Sequence, residues 1–305
     1  MLKLHSILLI LLLHQPLWVF AASSIDSDEP GRLLSGYQPS YFTVAFDDVD
    51  PHLEFVVSIK YPLDDDVDWM DDLFKGTNRF YFGYTGQYDF FVASEDVPGR
   101  DSAPIVSRLQ NPGLFLKHSF DAVGNKDDMV FKSISAGWFH ESNGQQIEGS
   151  DIARFASVNN ASDFVSRGWD YFGLDLKHGY KDIDLYTRFR IFCGCQGFGA
   201  IGGREDDVTV FKGVDNEDIR DYDGLRLIFS HSLYNNFSYT LHARTGFQAD
   251  AALDNWSYKA EIDFKLSWRW LEGVPLNLFY FSGYGQNIST YHIRDEYIGL
   301  GIKMW

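Results

Sequence analysis

Trp256-Ser257-Tyr258-Lys259-Ala260-Glu261-Ile262-Asp263-Phe264-Lys265-Leu266-Ser267-Trp268 alternates without a break. Tyr258, Ala260, Ile262, Phe264, Leu266 and Trp268 form one row, and Lys259, Glu261, Asp263, Lys265 and Ser267 form the other. Successive side chains of an extended chain point to opposite faces, so this period of two describes a strand with one apolar and one charged face. The charged row carries both signs, as the inside of a membrane barrel does when its outside meets lipid. A soluble lipid-carrying barrel would need the apolar row inside. Alternation alone leaves the inward row open.

The same period can be marked at Tyr41 to Phe46, His52 to Tyr61, Asn78 to Phe91, Leu109 to Phe120, Met129 to Ser142 and Ser166 to Leu176. It returns at Asp184 to Cys193, Gly224 to His231, Phe237 to Phe247, Pro275 to Gly285 and Arg294 to Met304, which makes twelve strands in all. Turn-rich and acidic stretches such as Asp64 to Asp72, Gly194 to Asp223 and Asp250 to Asn255 separate them. At the start, Lys3 precedes an apolar run from Ile7 to Leu13, and small residues follow at Ala21, Ala22, Ser23 and Ser24. This predicts a secretory signal peptide over residues 1–21, leaving residues 22–305 as one domain. His14, Gln15 and Pro16 interrupt the run and make it too short for a membrane anchor. No later segment reaches the roughly 18 apolar residues of a spanning helix, so insertion in a membrane would have to use strands.

Composition removes other classes. Lys and Arg number 26 against 43 Asp and Glu, a formal charge of −17, which argues against a nucleic-acid partner, since phosphate binding needs clustered Lys and Arg. Two cysteines cannot make a disulfide framework or a four-thiolate zinc site. Cys193 and Cys195 read as small residues at a strand end. Tyr81, Phe82, Tyr84, Tyr88, Phe90, Trp268, Trp270, Phe279, Tyr280, Phe281 and Trp305 fall near strand ends or on apolar rows, where aromatic girdles at the water–lipid boundaries would lie.

The stretch that bears chemistry is Gly137-Trp138-Phe139-His140-Glu141-Ser142-Asn143-Gly144. Residues two apart in a strand project from one face about 6.5 to 7 Å apart, so His140 and Ser142 stand side by side. Serine becomes a nucleophile when a base takes its proton, and the base needs a partner on its second ring nitrogen. His-x-Ser also occurs by chance, and spacing alone does not separate the two cases.

His140-Glu141-Ser142-Asn143-Gly144, followed by Ser166-Arg167-Gly168-Trp169-Asp170, resembles the paired signature of the outer-membrane phospholipase A family, His-Asp-Ser-Asn-Gly and Ser-Arg-Ser-Trp-Asn. Gly83-Tyr84-Thr85, the Pro104 to Pro112 spacing with Leu114-Phe115-Leu116 after it, Ser282-Gly283-Tyr284-Gly285 and Gly299-Leu300-Gly301 follow in family order. The resemblance implies an all-β, twelve-stranded antiparallel transmembrane barrel in a Gram-negative outer membrane. It also implies hydrolysis of phospholipid acyl esters through a serine acyl-enzyme, calcium dependence and activity as a homodimer. Carried over by position, Ser142 is the nucleophile, His140 the base and Asp170 its orienting partner, while Ser142 and Gly144 serve the oxyanion. Asp170 stands where the family usually has Asn. Calcium would take oxygen from Gln145 and Ser166. The family's serine before proline aligns with Ala103, so Ser102 is the neighbouring hydroxyl, and the stretch from Gln145 to Val165 is longer than the family's turn. With Trp138, His140 and Ser142 on the outward row, the substrate would be a phospholipid of the outer leaflet. The reading from another class is a non-enzymatic outer-membrane barrel, porin-like or an inactive family member; a secreted soluble barrel binding lipid is a third.

Overall fold

The computed structural model describes residues 34–47, 51–63, 76–91, 105–120, 130–144, 167–193, 218–234, 236–248, 253–266, 274–286, 288 and 291–304. The strands are β1 (Ser35–Gly36), β2 (Ser40–Asp47), β3 (His52–Pro62), β4 (Gly76–Phe91), β5 (Ile105–Phe120), β6 (Val130–Ser142) and β7 (Gly168–Tyr180). They continue as β8 (Ile183–Cys193), β9 (Gly224–Tyr234), β10 (Phe237–Gly246), β11 (Ser257–Lys265), β12 (Pro275–Gly283) and β13 (Asp295–Met304). From β2 onward each strand pairs antiparallel with its neighbours in sequence, β13 pairs with β2, and the sheet closes through β3 and β4. The two-residue β1 and the longer β2 lie against the same edge of β3, where Ser35 faces Lys60 and Tyr41 faces Val56. They form one broken stave, so the cylinder has twelve. All twelve predicted strands are present, with ends shifted by a few residues.

The wall is inside-out relative to a soluble protein. Tyr258 and Ile298 are about half exposed, at 52% and 51%, while Glu261 and Asn277 retain 1%. In β3, His52, Glu54, Ser58 and Lys60 are buried and the alternate row is Leu53, Phe55, Val57 and Ile59. Apolar residues outside and paired charges inside are what a bilayer demands, and closure gives every stave a paired neighbour on each side. The charged row of β11 is therefore the lumenal one. Lys303 Nζ lies 2.7 Å from Glu261 Oε2 and 2.7 Å from Asp263 Oδ2, and Lys259 Nζ lies 3.0 Å from Glu261 Oε1.

One expectation fails for part of the aromatic set. Tyr81, Phe279 and Phe281 point inward and are buried, whereas Phe82 and Tyr280 stand on the exterior. The reason is visible around Phe115, which stacks on Tyr81 at 5.3 Å and on Tyr37 at 4.9 Å between ring centroids. The lumen of a small barrel must be filled, and here rings fill part of it. Trp268, Trp270 and Trp305, the signal-peptide segment and the stretch from Gln145 to Val165 lie outside the described residues.

Candidate active site

β6 carries Trp138, His140 and Ser142 outward and Phe139 and Glu141 inward; those two and Asn143, just past its end, are buried. β7 returns beside it, so that Ser142 faces Gly168, Glu141 faces Trp169 and His140 faces Asp170. Two staves thus bring the sequence-predicted trio to the exterior at one level near the loop end of the barrel. His140 Nδ1 lies 2.8 Å from Asp170 Oδ1; the histidine side chain is 21% exposed and the carboxylate 0%. A carboxylate turned to the lipid side yet wholly covered is not a solvated strand-end residue. Donation from Nδ1–H to Asp170 leaves Nε2 as the acceptor that a general base needs.

Gly168 keeps the approach open. A β-carbon there would stand 3.3 Å from Ser142 Cβ and 3.7 Å from His140 Cε1, so its absence leaves one shared space in front of nucleophile and base. Among the described residues Ser142 and His140 share no hydrogen bond in this conformation. Such bonds are commonly loose without substrate and tighten when it binds. Gly144, two residues past the serine, has φ +57° and is exposed, a left-handed turn that glycine adopts without strain. Asn143 holds the chain before it: its N–H donates to Arg167 O at 3.1 Å, and its Oδ1 accepts from Arg167 N–H at 2.9 Å.

The support behind the wall has no motif in the sequence. Glu141, between His140 and Ser142, turns into the lumen and accepts from Asn111 of β5 at 2.8 Å, Trp169 of β7 at 3.3 Å and Arg190 of β8 at 2.8 Å. One carboxylate therefore ties three neighbouring staves to β6 at the level of the trio. Arg190 also donates to Asp223 at 3.1 Å and lies 4.5 Å from the Tyr171 ring centre. The signal in sequence was only that Glu141 falls on the charged parity of β6; its partners come from strands far along the chain.

Phe139 lies behind His140, stacked on Tyr171 at 5.3 Å and on Phe115 at 6.0 Å. It rests over Gly113, where a β-carbon would stand 2.1 Å from the ring. Toward the loop end, Ile219 of a short 3-10 turn at Ile219–Asp221 and the side chains of Ile288 and Tyr291 join Trp169 and Phe192 in one buried cluster. Arg220 N–H donates to Asp218 Oδ1 at 2.9 Å and starts that turn. Side chains therefore occupy the lumen beside the site, leaving a cavity of about 300 Å³ along it. Burial pushes the Asp223 carboxyl up, and Arg226 and Arg190 beside it more than reverse that, holding it below the usual carboxylate range.

Gln145, Ser166 and Ser102, the expected metal donors, lie outside the described residues. Among the described residues no group of His, Cys, Asp and Glu is arranged to hold a metal. The expected donors are an amide carbonyl and two hydroxyls, all hard oxygens of the kind calcium takes.

The family model for phospholipase A1 matches residues 44–304. A Neisseria meningitidis serogroup B protein carrying the phospholipase A1 name is 25% identical over 243 residues, a match of 76% of this chain and 50% of that protein. The match thus spans half the length of that curated relative. Outer membrane phospholipase A from Escherichia coli has a similar structure, with TM-score 0.61 and 15% identity over 92% of this chain and 94% of that one. The Salmonella typhi outer membrane phospholipase, a dimer with bound calcium, gives TM-score 0.60 and 14% identity over 91% and 94%. These two likenesses establish the fold as that of an outer-membrane barrel. The match along residues 44–304 places the chain in the phospholipase A1 family.

Proposed function

We propose that this protein hydrolyses acyl ester bonds of phospholipids in the outer membrane, with Ser142 as nucleophile, His140 as general base and acid, and Asp170 as its orienting partner. The observation that carries this is the 2.8 Å contact between His140 Nδ1 and Asp170 Oδ1 on the exterior wall, in the same outward row as Ser142. A soluble substrate rarely reaches that surface. A phospholipid is held against it, with its esters at interfacial depth.

With Nδ1 engaged by Asp170, His140 Nε2 accepts the Ser142 proton as the hydroxyl oxygen bonds to the ester carbonyl carbon. The carbonyl oxygen becomes an anion, and donors such as the backbone N–H of Gly144 would receive it. Collapse of the intermediate breaks the ester C–O bond; His140 returns its proton to the departing lysolipid alcohol and Ser142 keeps the acyl group. Water then repeats the sequence on the acyl-serine, releasing a fatty acid and restoring Ser142. Asp170 stabilises the imidazolium in both steps. Gln145, Ser166 and Ser102 would hold calcium, which when bound supplies further positive charge to the oxyanion. The Salmonella relative is a dimer with bound calcium, and by the same likeness we extend both properties to this chain.

Fatty-acid release from phosphatidylcholine in detergent micelles tests the proposal, with and without excess chelator, for the wild type, Ser142→Ala and His140→Ala. Release by the wild type with calcium, lost in either variant and on chelation, is expected. Equal release by Ser142→Ala would refute it.

A further inference from the structure

The outward row that contains Ser142 runs across four staves as Gly86, Gln110, Ser142 and Gly168, each facing the next in register. On the β4–β5 side of the serine this row carries a polar device on a wall otherwise built for lipid. Tyr84 and Tyr88 flank Gly86, and their hydroxyls meet above it at 3.0 Å. A β-carbon on Gly86 would stand 2.8 Å from the Tyr84 hydroxyl and 3.1 Å from that of Tyr88, so the glycine is what lets them meet. Tyr84 O–H donates to Gln110 Oε1, and Gln110 Nε2–H donates to Tyr88 at 3.0 Å. Tyr88 then has its own hydrogen for Tyr84, and the three groups close a ring in which each gives and accepts once.

Polar groups facing lipid are costly when unsatisfied, and this ring satisfies itself. It has one donor to spare, because the amide of Gln110 has two hydrogens and the ring uses one. One step nearer the loop end, in the same outward row of β5, Arg108 faces Tyr88 in register and is exposed. It makes no ion pair among the described residues. A step of two residues along a strand is about 6.5 to 7 Å. In a glycerophospholipid the phosphate lies one glycerol backbone from the acyl esters, on the headgroup side. With an ester at Ser142, the phosphate therefore reaches the level of Arg108, whose planar guanidinium matches its oxygens in pairs.

We propose that Arg108, Tyr88 and Gln110 form a headgroup subsite beside Ser142, in which Arg108 binds the phosphodiester of the glycerophospholipid under attack. The subsite rests on the hydrolase reading given above and adds the group that distinguishes a phospholipid from a neutral lipid ester.

Two substrates with the same acyl chains test it: phosphatidylcholine and diacylglycerol, each in the same detergent micelles with calcium. The quantity read is the ratio of kcat/KM for the first to that for the second, for wild type, Arg108→Gln and Arg108→Lys, with far-UV circular dichroism confirming the barrel. Loss of a charge-assisted pair of hydrogen bonds should lower the ratio about tenfold or more in Arg108→Gln, with Arg108→Lys keeping part of the preference. An unchanged ratio in Arg108→Gln overturns the subsite, whether both rates hold or both fall together. A phosphate bound from a neighbouring, non-reacting lipid would also leave the ratio unchanged. Failure of the underlying reading looks different, since Ser142→Ala would then hydrolyse both substrates at the wild-type rate.

Discussion

His140 and Asp170 sit opposite one another in adjacent strands, and their side chains meet on the outer wall with Nδ1 and Oδ1 2.8 Å apart. Register sets this meeting: a slip of one residue would turn one side chain into the lumen while the other stayed outside. An amide oxygen can accept the same imidazole hydrogen, and Asn is the residue the family usually has here. Asp170→Asn should therefore retain more activity than Asp170→Ala, which leaves the ring unoriented and should lose about a hundredfold or more in kcat. Fatty-acid release from micellar phospholipid measures both, and equal losses would remove the orienting role.

Glu141 joins β6 to Asn111, Trp169 and Arg190 in the lumen. Removing one partner of a buried ion pair leaves the other charge uncompensated, at a cost of about 3–5 kcal/mol. Glu141→Ala should lose that much stability in denaturant unfolding from detergent and lose activity with it. Glu141→Gln, which still accepts from Trp169 or Asn111, should lose less.

The contact of Phe139 with Gly113 is closer than any side chain at that position would allow, since a β-carbon would stand 2.1 Å from the ring. Gly113→Ala should displace Phe139 from its stack with Tyr171 and destabilise the barrel by about 1–3 kcal/mol. Thermal or urea unfolding reads the change. Because His140 follows Phe139 in β6, kcat should fall in the same variant.

Asp223 gives a pH signature. Its carboxyl is held below the usual range in the folded protein, so its contribution to stability is fully present above the unfolded value of about 3.9 and is lost as pH falls through the folded one. The stability gap between wild type and Asp223→Asn should be constant near neutrality and shrink on acidification below about pH 4. A gap that widened with acid would contradict the arrangement of Arg226 and Arg190 around it.

The twelve staves were legible because a wall between lipid and a polar lumen imposes one period on every crossing, and β11 shows it residue by residue. The outward placement of His140 and Ser142 follows from parity once Glu141 and Phe139 are assigned to the lumen. For Tyr81, Phe279 and Phe281 parity is no guide, because an aromatic ring suits both a girdle and a filled lumen, and only the packing around it separates the two. The covered state of Asp170, the staple at Glu141 and the ring of Tyr84, Tyr88 and Gln110 were not legible. Each depends on which residues face one another across strands, and the period within a strand does not fix that register. The metal donors Gln145, Ser166 and Ser102 rest on resemblance alone and lie outside the described residues.

The most direct test of the account is covalent trapping of the nucleophile. The protein in micelles with calcium is treated with an alkyl fluorophosphonate, and the intact mass and the modified peptide are read by mass spectrometry. One adduct is expected, on Ser142, formed at a rate that falls sharply in His140→Ala, with phospholipid hydrolysis lost in step. An adduct on another residue, or undiminished labelling and hydrolysis in Ser142→Ala, would contradict it.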